Sequence, residues 1–204
     1  MSDEGDRQAI RFYFSFRSPY AWLAAERLES ELGDLGVAIE RLPIYPTPEL
    51  APEFFAARPD KLAYLVQDIP RLARERGLTV RFPPPGDPDW ALSHAAFLSA
   101  QRHEAAHRFM LQVFRKRFCE GLDVGEDRVI ADTAREVGLD PDAILAAAHS
   151  ESLRAEAAAG WRRALERDRI FGVPSFAYAG KLYWGQDRMH FVRSAVLQKS
   201  RAAS

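Results

Sequence analysis

Three short segments of this chain hold residue types that could do chemistry. The first is Ser18-Pro19, directly after an alternating apolar run. Ser18 falls at a helix N-cap position and Pro19 at the first helical position, where its missing N–H costs nothing. As structure, the serine is a cap worth about 1 kcal/mol. As chemistry, its hydroxyl stands at a helix N-terminus, a place that favours anions and would lower the pKa of a thiolate held there. The second segment is Gly172-Val173-Pro174-Ser175. A proline at a strand entrance can be an edge device. A cis Val173–Pro174 bond is the sharper reading, because it would leave the backbone N–H and C=O of Val173 free to pair with an extended peptide. The third segment is Trp184-Gly185-Gln186-Asp187-Arg188. Asp187 there is either the N-cap of a following helix or, with the nearby backbone, a grip on a ligand's ammonium or carboxylate group.

Other chemistries lack their residues. The single cysteine, Cys119, permits no Cys-x-x-Cys pair, no intramolecular disulfide and no thiolate zinc site. It follows Val113, Phe114 and Phe118 in a helical pattern and reads as a small core residue. His103 and His107 are four apart, but no third ligand accompanies them, so no metal is expected. Ser18 lies in no Gly-x-Ser-x-Gly context and has no assigned base, unlike a hydrolase nucleophile. With 28 Lys+Arg against 29 Asp+Glu the net charge is −1, which argues against nucleic acid or a membrane surface as partner. No apolar run approaches the ~20 residues that span a bilayer. The acidic opening Met1-Ser2-Asp3-Glu4-Gly5-Asp6 is unlike a signal peptide, so a cytoplasmic location is expected.

Regular elements must position these segments. In residues 10–16, Ile10, Phe12, Phe14 and Phe16 face one way and Arg11, Tyr13 and Ser15 the other, the period of a strand. Trp22, Ala25, Leu28, Leu32 and Leu35 then recur at helical spacing, with Gly36 closing the helix. A second strand at 37–42 completes a βαβ unit with parallel strands. From 48 to 169 helical periodicity dominates. Asp60 can cap a helix to about Gly77, with Leu62, Leu65, Ile69 and Leu72 on one face and a kink or break near Pro70. Residues 78–82 are the only strand-like stretch there, and helical runs follow at 89–103, 104–120, 127–137, 141–149 and 150–167. Ser175–Tyr178 and Lys181–Trp184 flank Ala179-Gly180 as an antiparallel hairpin, and Asp187 can open a last helix. The pattern predicts a small sheet from residues 1–47 and 168–204 around a helical insertion, 48–167.

Together, Phe14-Ser15-Phe16-Arg17-Ser18-Pro19-Tyr20-Ala21-Trp22-Leu23, Ile170-Phe171-Gly172-Val173-Pro174-Ser175-Phe176 and Tyr183-Trp184-Gly185-Gln186-Asp187-Arg188-Met189 resemble the 2-hydroxychromene-2-carboxylate isomerases. That family is related to kappa-class glutathione transferases and DsbA-like thioredoxin-fold proteins. The resemblance spans essentially the whole chain. It implies an α/β, thioredoxin-like fold (βαβ…ββα) with a large all-helical insertion, glutathione as cofactor and a homodimer. Ser18 matches the family serine at the place where redox relatives carry the first cysteine of Cys-Pro-x-Cys. Ser18-Pro19-Tyr20-Ala21 has no thiol, so glutathione would lend one. By this resemblance Ser18 is the catalytic residue, donating a hydrogen bond to the glutathione thiolate. Val173, before a cis Pro174, pairs with the cysteinyl backbone, and Gln186 and Asp187 hold the γ-glutamyl end. Lys61 resembles a family lysine near the glutathione or the acidic substrate. Residues 45–59 depart from the pattern: they lack the family's Asn in a Gly-Asn-Pro run, and Glu49 and Glu53 add negative charge.

The implied activity is a glutathione-dependent cis–trans isomerisation of a small aromatic-derived keto acid, a step of aromatic catabolism. The thiolate adds to an unsaturated carbon, the double bond becomes a rotatable single bond, and elimination returns the thiol. Tyr13, Tyr20, Trp22, Tyr45 and Phe54 either line a pocket for a flat substrate or belong to the core. Two alternatives differ in outcome. A kappa-like glutathione transferase would leave the thiol conjugated to an electrophile. A redox-inactive thioredoxin-fold binding protein would hold peptides at the Val173-Pro174 edge.

Overall fold

A computed structural model describes residues 9–47, 58–83, 86 and 88–203. The chain runs β1 (Ile10–Phe14), α1 (Pro19–Ala25), α2 (Leu28–Leu32), a 3-10 turn (Gly33–Leu35) and β2 (Ile39–Pro43). Then come α3 (Pro59–Glu75), α4 (Trp90–Ala100), α5 (Ala106–Phe118), α6 (Asp127–Glu136), α7 (Pro141–His149), α8 (Glu151–Ala158) and α9 (Gly160–Asp168). The chain closes with β3 (Ser175–Tyr178), β4 (Lys181–Trp184) and α10 (Met189–Ala203). The fold is the thioredoxin-like one of DsbA proteins, a mixed four-stranded sheet in the order β2-β1-β3-β4 with helices inserted between β2 and β3. Ile10 pairs with Ile39 in the parallel ladder, and Phe12 with Phe176 and Phe176 with Tyr183 in the antiparallel ones. Ala179 and Gly180 turn the hairpin with φ of 50° and 76°, the two positive angles that such a tight turn needs.

The alternation in β1 serves two cores, since both of its faces are buried. Phe12 stacks on Phe176 at 5.0 Å, and Phe14 meets Phe97 of α4 edge-on at 5.1 Å. Leu28 and Leu32 of α2 and Val192 and Val196 of α10 complete that side. On the other face Tyr13 and Ala177 pack with Ile44, Trp161, Ala164 and Ile170, so α9 lies over it. Arg11 shares that face by the period of the strand. Its guanidinium is satisfied by Asp168, the last residue of α9, through Nε and Nη2 bonds of 2.7 Å each. The first residue of α9, Gly160, sits so close that a Cβ there would lie 2.9 Å from the Pro43 carbonyl oxygen. Gly160→Ala is therefore expected to cost about 1–3 kcal/mol despite better helix propensity, read as a lower urea midpoint at constant slope. An unchanged midpoint would refute this seating of α9.

Several boundaries differ from the sequence expectation for identifiable reasons. The first helical run breaks after Ala25, where Arg27 N–H turns to the Ala24 carbonyl at 3.1 Å, while the Glu26 carboxylate accepts from Trp22 Nε1 at 3.0 Å and from Arg115 of α5 at 2.9 and 2.7 Å. Pro70 does not break α3. The carbonyl it leaves unbonded belongs to half-exposed Val66, where water can serve, while Ile69 and Ala73 on either side are buried. Leu62 is not on the buried face but 63% exposed, since burial of α3 begins further along. Residues 78–82 form no strand; Arg81 N–H reaches the Phe118 carbonyl instead. The run 150–167 divides at Ala159 into α8 and α9. Asp187 does not cap α10, which starts at Met189; its carboxylate is turned to the Arg188 guanidinium at 2.7 Å.

Candidate functional site

Ser18 caps α1 from extended backbone, φ −97° and ψ 114°, its Oγ accepting from Ala21 N–H at 3.2 Å. Trp22 N–H takes the Ser18 carbonyl at 3.1 Å, and Ser18 N–H donates to the Ser15 carbonyl at 3.0 Å. Pro19 has no N–H, so Tyr20 N–H is the donor left open in this first turn among the described residues. With only 7 residues in α1, an anion placed here would meet two discrete donors, Ser18 O–H and Tyr20 N–H, rather than a long helix dipole.

The Val173–Pro174 bond is cis and faces that turn. Ser18 O–H points at the Val173 carbonyl oxygen at 3.5 Å. A contact this long is weak, and the proton is free to turn to a better acceptor. Val173 N–H makes no hydrogen bond among the described residues. Behind it, Ser175 O–H fixes the Gly172 carbonyl at 2.7 Å, and the Trp184 indole closes on Gly172. Phe171 and Trp184, both exposed, meet edge-to-face at 5.0 Å beside this loop.

Gly185 N–H donates to the Pro174 carbonyl at 2.9 Å, which joins the third segment to the cis-proline loop. Its φ of 123° lies in a region that favours glycine. Gln186 follows, half-buried, its Oε1 accepting from Nη2 of Arg76 at the end of α3. Asp187 is exposed. Ser18 thus meets Val173, and the Gly185–Pro174 bond ties the segment of Gln186 and Asp187 to the same cis-proline loop.

Lys61 belongs to the flanking helix, exposed in the first turn of α3. That helix crosses α1 where Tyr20 O–H donates to Asp68 at 2.7 Å. Lys61 is two turns from Asp68 on the same face, about 10 Å along the axis. Burial and then the bond to Asp68 raise the Tyr20 pKa above its ordinary value, so this phenol stays protonated. Of the other aromatic candidates, Tyr13 and Trp22 are core, and buried Tyr45 lies on His94 with centroids 4.8 Å apart. Phe54, with Glu49 and Glu53, lies outside the described residues.

Two features escaped sequence reasoning. Arg76 reaches Gln186 across 110 positions and reads locally as one more basic residue at a helix end. Buried His94 backs the Ser18 turn, with Nε2 3.3 Å from Ser15 Oγ. Cys119 is half-buried rather than fully in the core, at the end of α5, and burial with the Glu26 charge pushes its thiol up. Among the described residues no helix is long and apolar enough to cross a membrane.

Residues 9–197 match the DSBA-like thioredoxin domain. The chain is 27% identical over 196 residues to 2-hydroxychromene-2-carboxylate isomerase of Sphingobium xenophagum, spanning 93% of this chain and 98% of that protein. A solved 2-hydroxychromene-2-carboxylate isomerase superposes with a TM-score of 0.76 at 25% identity, over 96% of this chain and 97% of the other. Cytosolic disulfide reductase DsbM of Pseudomonas aeruginosa shares the fold at TM-score 0.65 and 20% identity, over 93% and 99% of the two chains. With a cis-proline loop set against the first turn of α1 on this sheet, the chain belongs to the DSBA-like thioredoxin domain family.

Proposed function

We propose that the protein is a glutathione-dependent isomerase of the 2-hydroxychromene-2-carboxylate isomerase type, acting on a small aromatic-derived keto acid. The observation that carries this reading is the Ser18 hydroxyl, 3.5 Å from the Val173 carbonyl, at the edge of a loop whose next N–H is open. Near full-length similarity to proteins named for that activity supports the isomerase type. Thiol–disulfide exchange lacks its residues, because the one cysteine ends α5 and its thiol pKa is raised.

The residues present fit a γ-glutamyl-cysteinyl-glycine tripeptide. Val173 offers an N–H and a C=O, the pair an extended cysteinyl backbone needs. Ser18 O–H and Tyr20 N–H are two donors for a sulfur, and Asp187 is an exposed acceptor for an ammonium group. Bound glutathione would supply the thiol nucleophile whose reversible addition makes a double bond rotatable. The chain's own part is electrostatic and positional. Ser18 turns its proton from the Val173 carbonyl to the sulfur, which favours the charged form and releases that carbonyl for the cysteinyl N–H. Tyr20, tied to Asp68, serves through its backbone rather than as a base.

Calorimetric titration with glutathione, followed through pH by thiolate absorbance, tests the reading. A bound-thiol pKa well below that of free glutathione is expected. Ser18→Ala is expected to raise it by about 1–2 units, the loss of one hydrogen bond to a charged group. Turnover of the chromene carboxylate should consume no thiol; an accumulating conjugate would make the protein a kappa-like transferase. No binding at millimolar glutathione would overturn the reading in favour of a peptide-binding protein.

A further inference from the structure

The face of α3 that crosses α1 carries a hydroxyl that neither packing nor thiol binding uses. Tyr64 lies one turn before Asp68 on α3, at a spacing of four, so the two share that face. Asp68 takes the Tyr20 O–H at 2.7 Å, and Tyr20 is the second residue of α1, in the turn that Ser18 caps. Tyr64 sits close enough to Tyr20 to raise that phenol's pKa further, through its charge and a side-chain hydrogen bond. The Tyr20 proton is committed to the Asp68 carboxylate. Of the two phenols, Tyr64 is therefore the one whose proton can turn to a ligand. Tyr64 is also 55% exposed, whereas Tyr20 is half-buried, so the core does not depend on it. Lys61, three residues earlier on the same face, sets a positive charge on the other side of Tyr64 from Asp68.

The proposed reaction has a place for such a donor. A keto acid whose double bond is made rotatable by thiol addition gathers negative charge on its keto oxygen. The double-bond electrons move to that oxygen as the carbon–sulfur bond forms, and they return as the bond breaks. Ser18 O–H and Tyr20 N–H are turned to the sulfur, so the keto oxygen needs a donor of its own. We propose that Tyr64 is a catalytic residue that donates its O–H to the keto oxygen of the substrate and stabilises the charge gathered there. Tyr64 keeps its proton throughout, and the step consumes none. This rests on the glutathione-dependent isomerase reading and adds to it the group that reads the keto function. It selects unsaturated acids with a carbonyl conjugated to the double bond over those without one, because only the former can pass charge to the Tyr64 hydroxyl.

Tyr64→Phe removes only the hydroxyl from an exposed ring, so the urea midpoint should not move. With the chromene carboxylate, kcat is expected to fall about 10- to 100-fold. Glutathione affinity should change by less than about twofold and the bound-thiol pKa by less than about 0.3 unit, since neither involves Tyr64. Calorimetry on the glutathione complex supplies a readout apart from turnover. The analogue 4-phenyl-2-oxobutanoate has the keto oxygen but no double bond to attack, and Tyr64→Phe should weaken it about fivefold. With 4-phenylbutanoate, which lacks that oxygen, the change should stay under about twofold. A kcat within about twofold of the unmodified protein's overturns the assignment while the glutathione reading stands. Equal weakening of the two analogues also overturns it, as a merely structural effect, and so does binding of neither analogue by the unmodified protein. Failure of the unmodified protein to bind glutathione overturns both.

Discussion

Replacing Asp168 by alanine is expected to destabilise the fold by about 3–5 kcal/mol, the range for stripping one partner from a buried ion pair. The Arg11 and Asp168 side chains are only 6% and 9% exposed. Asp168 takes two 2.7 Å bonds from the Arg11 guanidinium and a 2.5 Å bond from Tyr13 O–H. Burial alone would raise its pKa, but the bonds from Arg11 and Tyr13 and the Arg11 charge outweigh it and hold the carboxyl below 3.8. A lowered carboxyl pKa contributes stability above the unfolded value and loses it as pH falls through the folded one. The network is therefore intact at neutral pH, where the variant leaves a cation without its bidentate partner. Urea midpoints measure the loss. A double variant, Arg11→Met with Asp168→Leu, should recover most of it, because removing both charges also removes their desolvation cost. A loss under about 1 kcal/mol in the single variant, or no recovery in the double, would show that Arg11 is compensated without Asp168. On the proposed glutathione reading, affinity for the tripeptide should fall as well, since Asp168 anchors the end of α9 from which the chain leads through Ile170 to Val173.

Local pattern made most of the fold legible, and pairing across distance supplied what it could not. The hairpin could be read to the residue because alternation, a two-residue turn and strand ends coincide over ten positions. The same holds for α7, where Asp140 caps and Pro141 opens the helix, the Asp140 carboxylate accepting from Asp142 and Ala143 N–H. The break after Ala25 carries no such signal, since no Gly or Pro marks it and Glu26 and Arg27 are ordinary helix formers. At the site, the Ser18 and Val173 segments could each be singled out because each carries its own backbone peculiarity, a cap and an X-Pro bond, while only the family resemblance joins them. The Arg76–Gln186 bond carries no such mark. A half-buried arginine at a helix end and an amide after a glycine are each ordinary, and only the packing of the chain brings them together. Buried Arg11 was hidden likewise, because alternation marks the second face of a strand without telling what covers it.

The fold is also expected to lose about 3 kcal/mol as pH falls from 6.5 to 4, through His94. This imidazole is completely buried in α4, and burial lowers its pKa from 6.5 to about 4, although the Trp90 and Ile44 carbonyls favour the charged form. Nδ1 lies 2.7 Å from the Trp90 carbonyl, so that nitrogen carries the proton and Nε2 is left to accept from Ser15 O–H. Phe16 and Tyr45 pack against the ring and provide no counter-charge. The sign follows from which state gains a proton first. Above 6.5 both states are neutral and the group costs nothing; between 6.5 and 4 only the unfolded chain protonates; below 4 the penalty is constant. His107, lowered by burial and by the Arg41 charge, acts in the same sense. A His94→Gln variant separates the two, and its stability profile over this window should be flatter than that of the unmodified protein. NMR titration of the His94 ring should give its low pKa directly. A ring that titrates near 6.5, or a variant with an undiminished pH slope, would sink the assignment. The consequence reaches the site by one bond: Ser15 accepts the Ser18 N–H through its carbonyl while its side chain contacts His94. Acid that charges His94 therefore works at the base of the turn that presents the Ser18 hydroxyl.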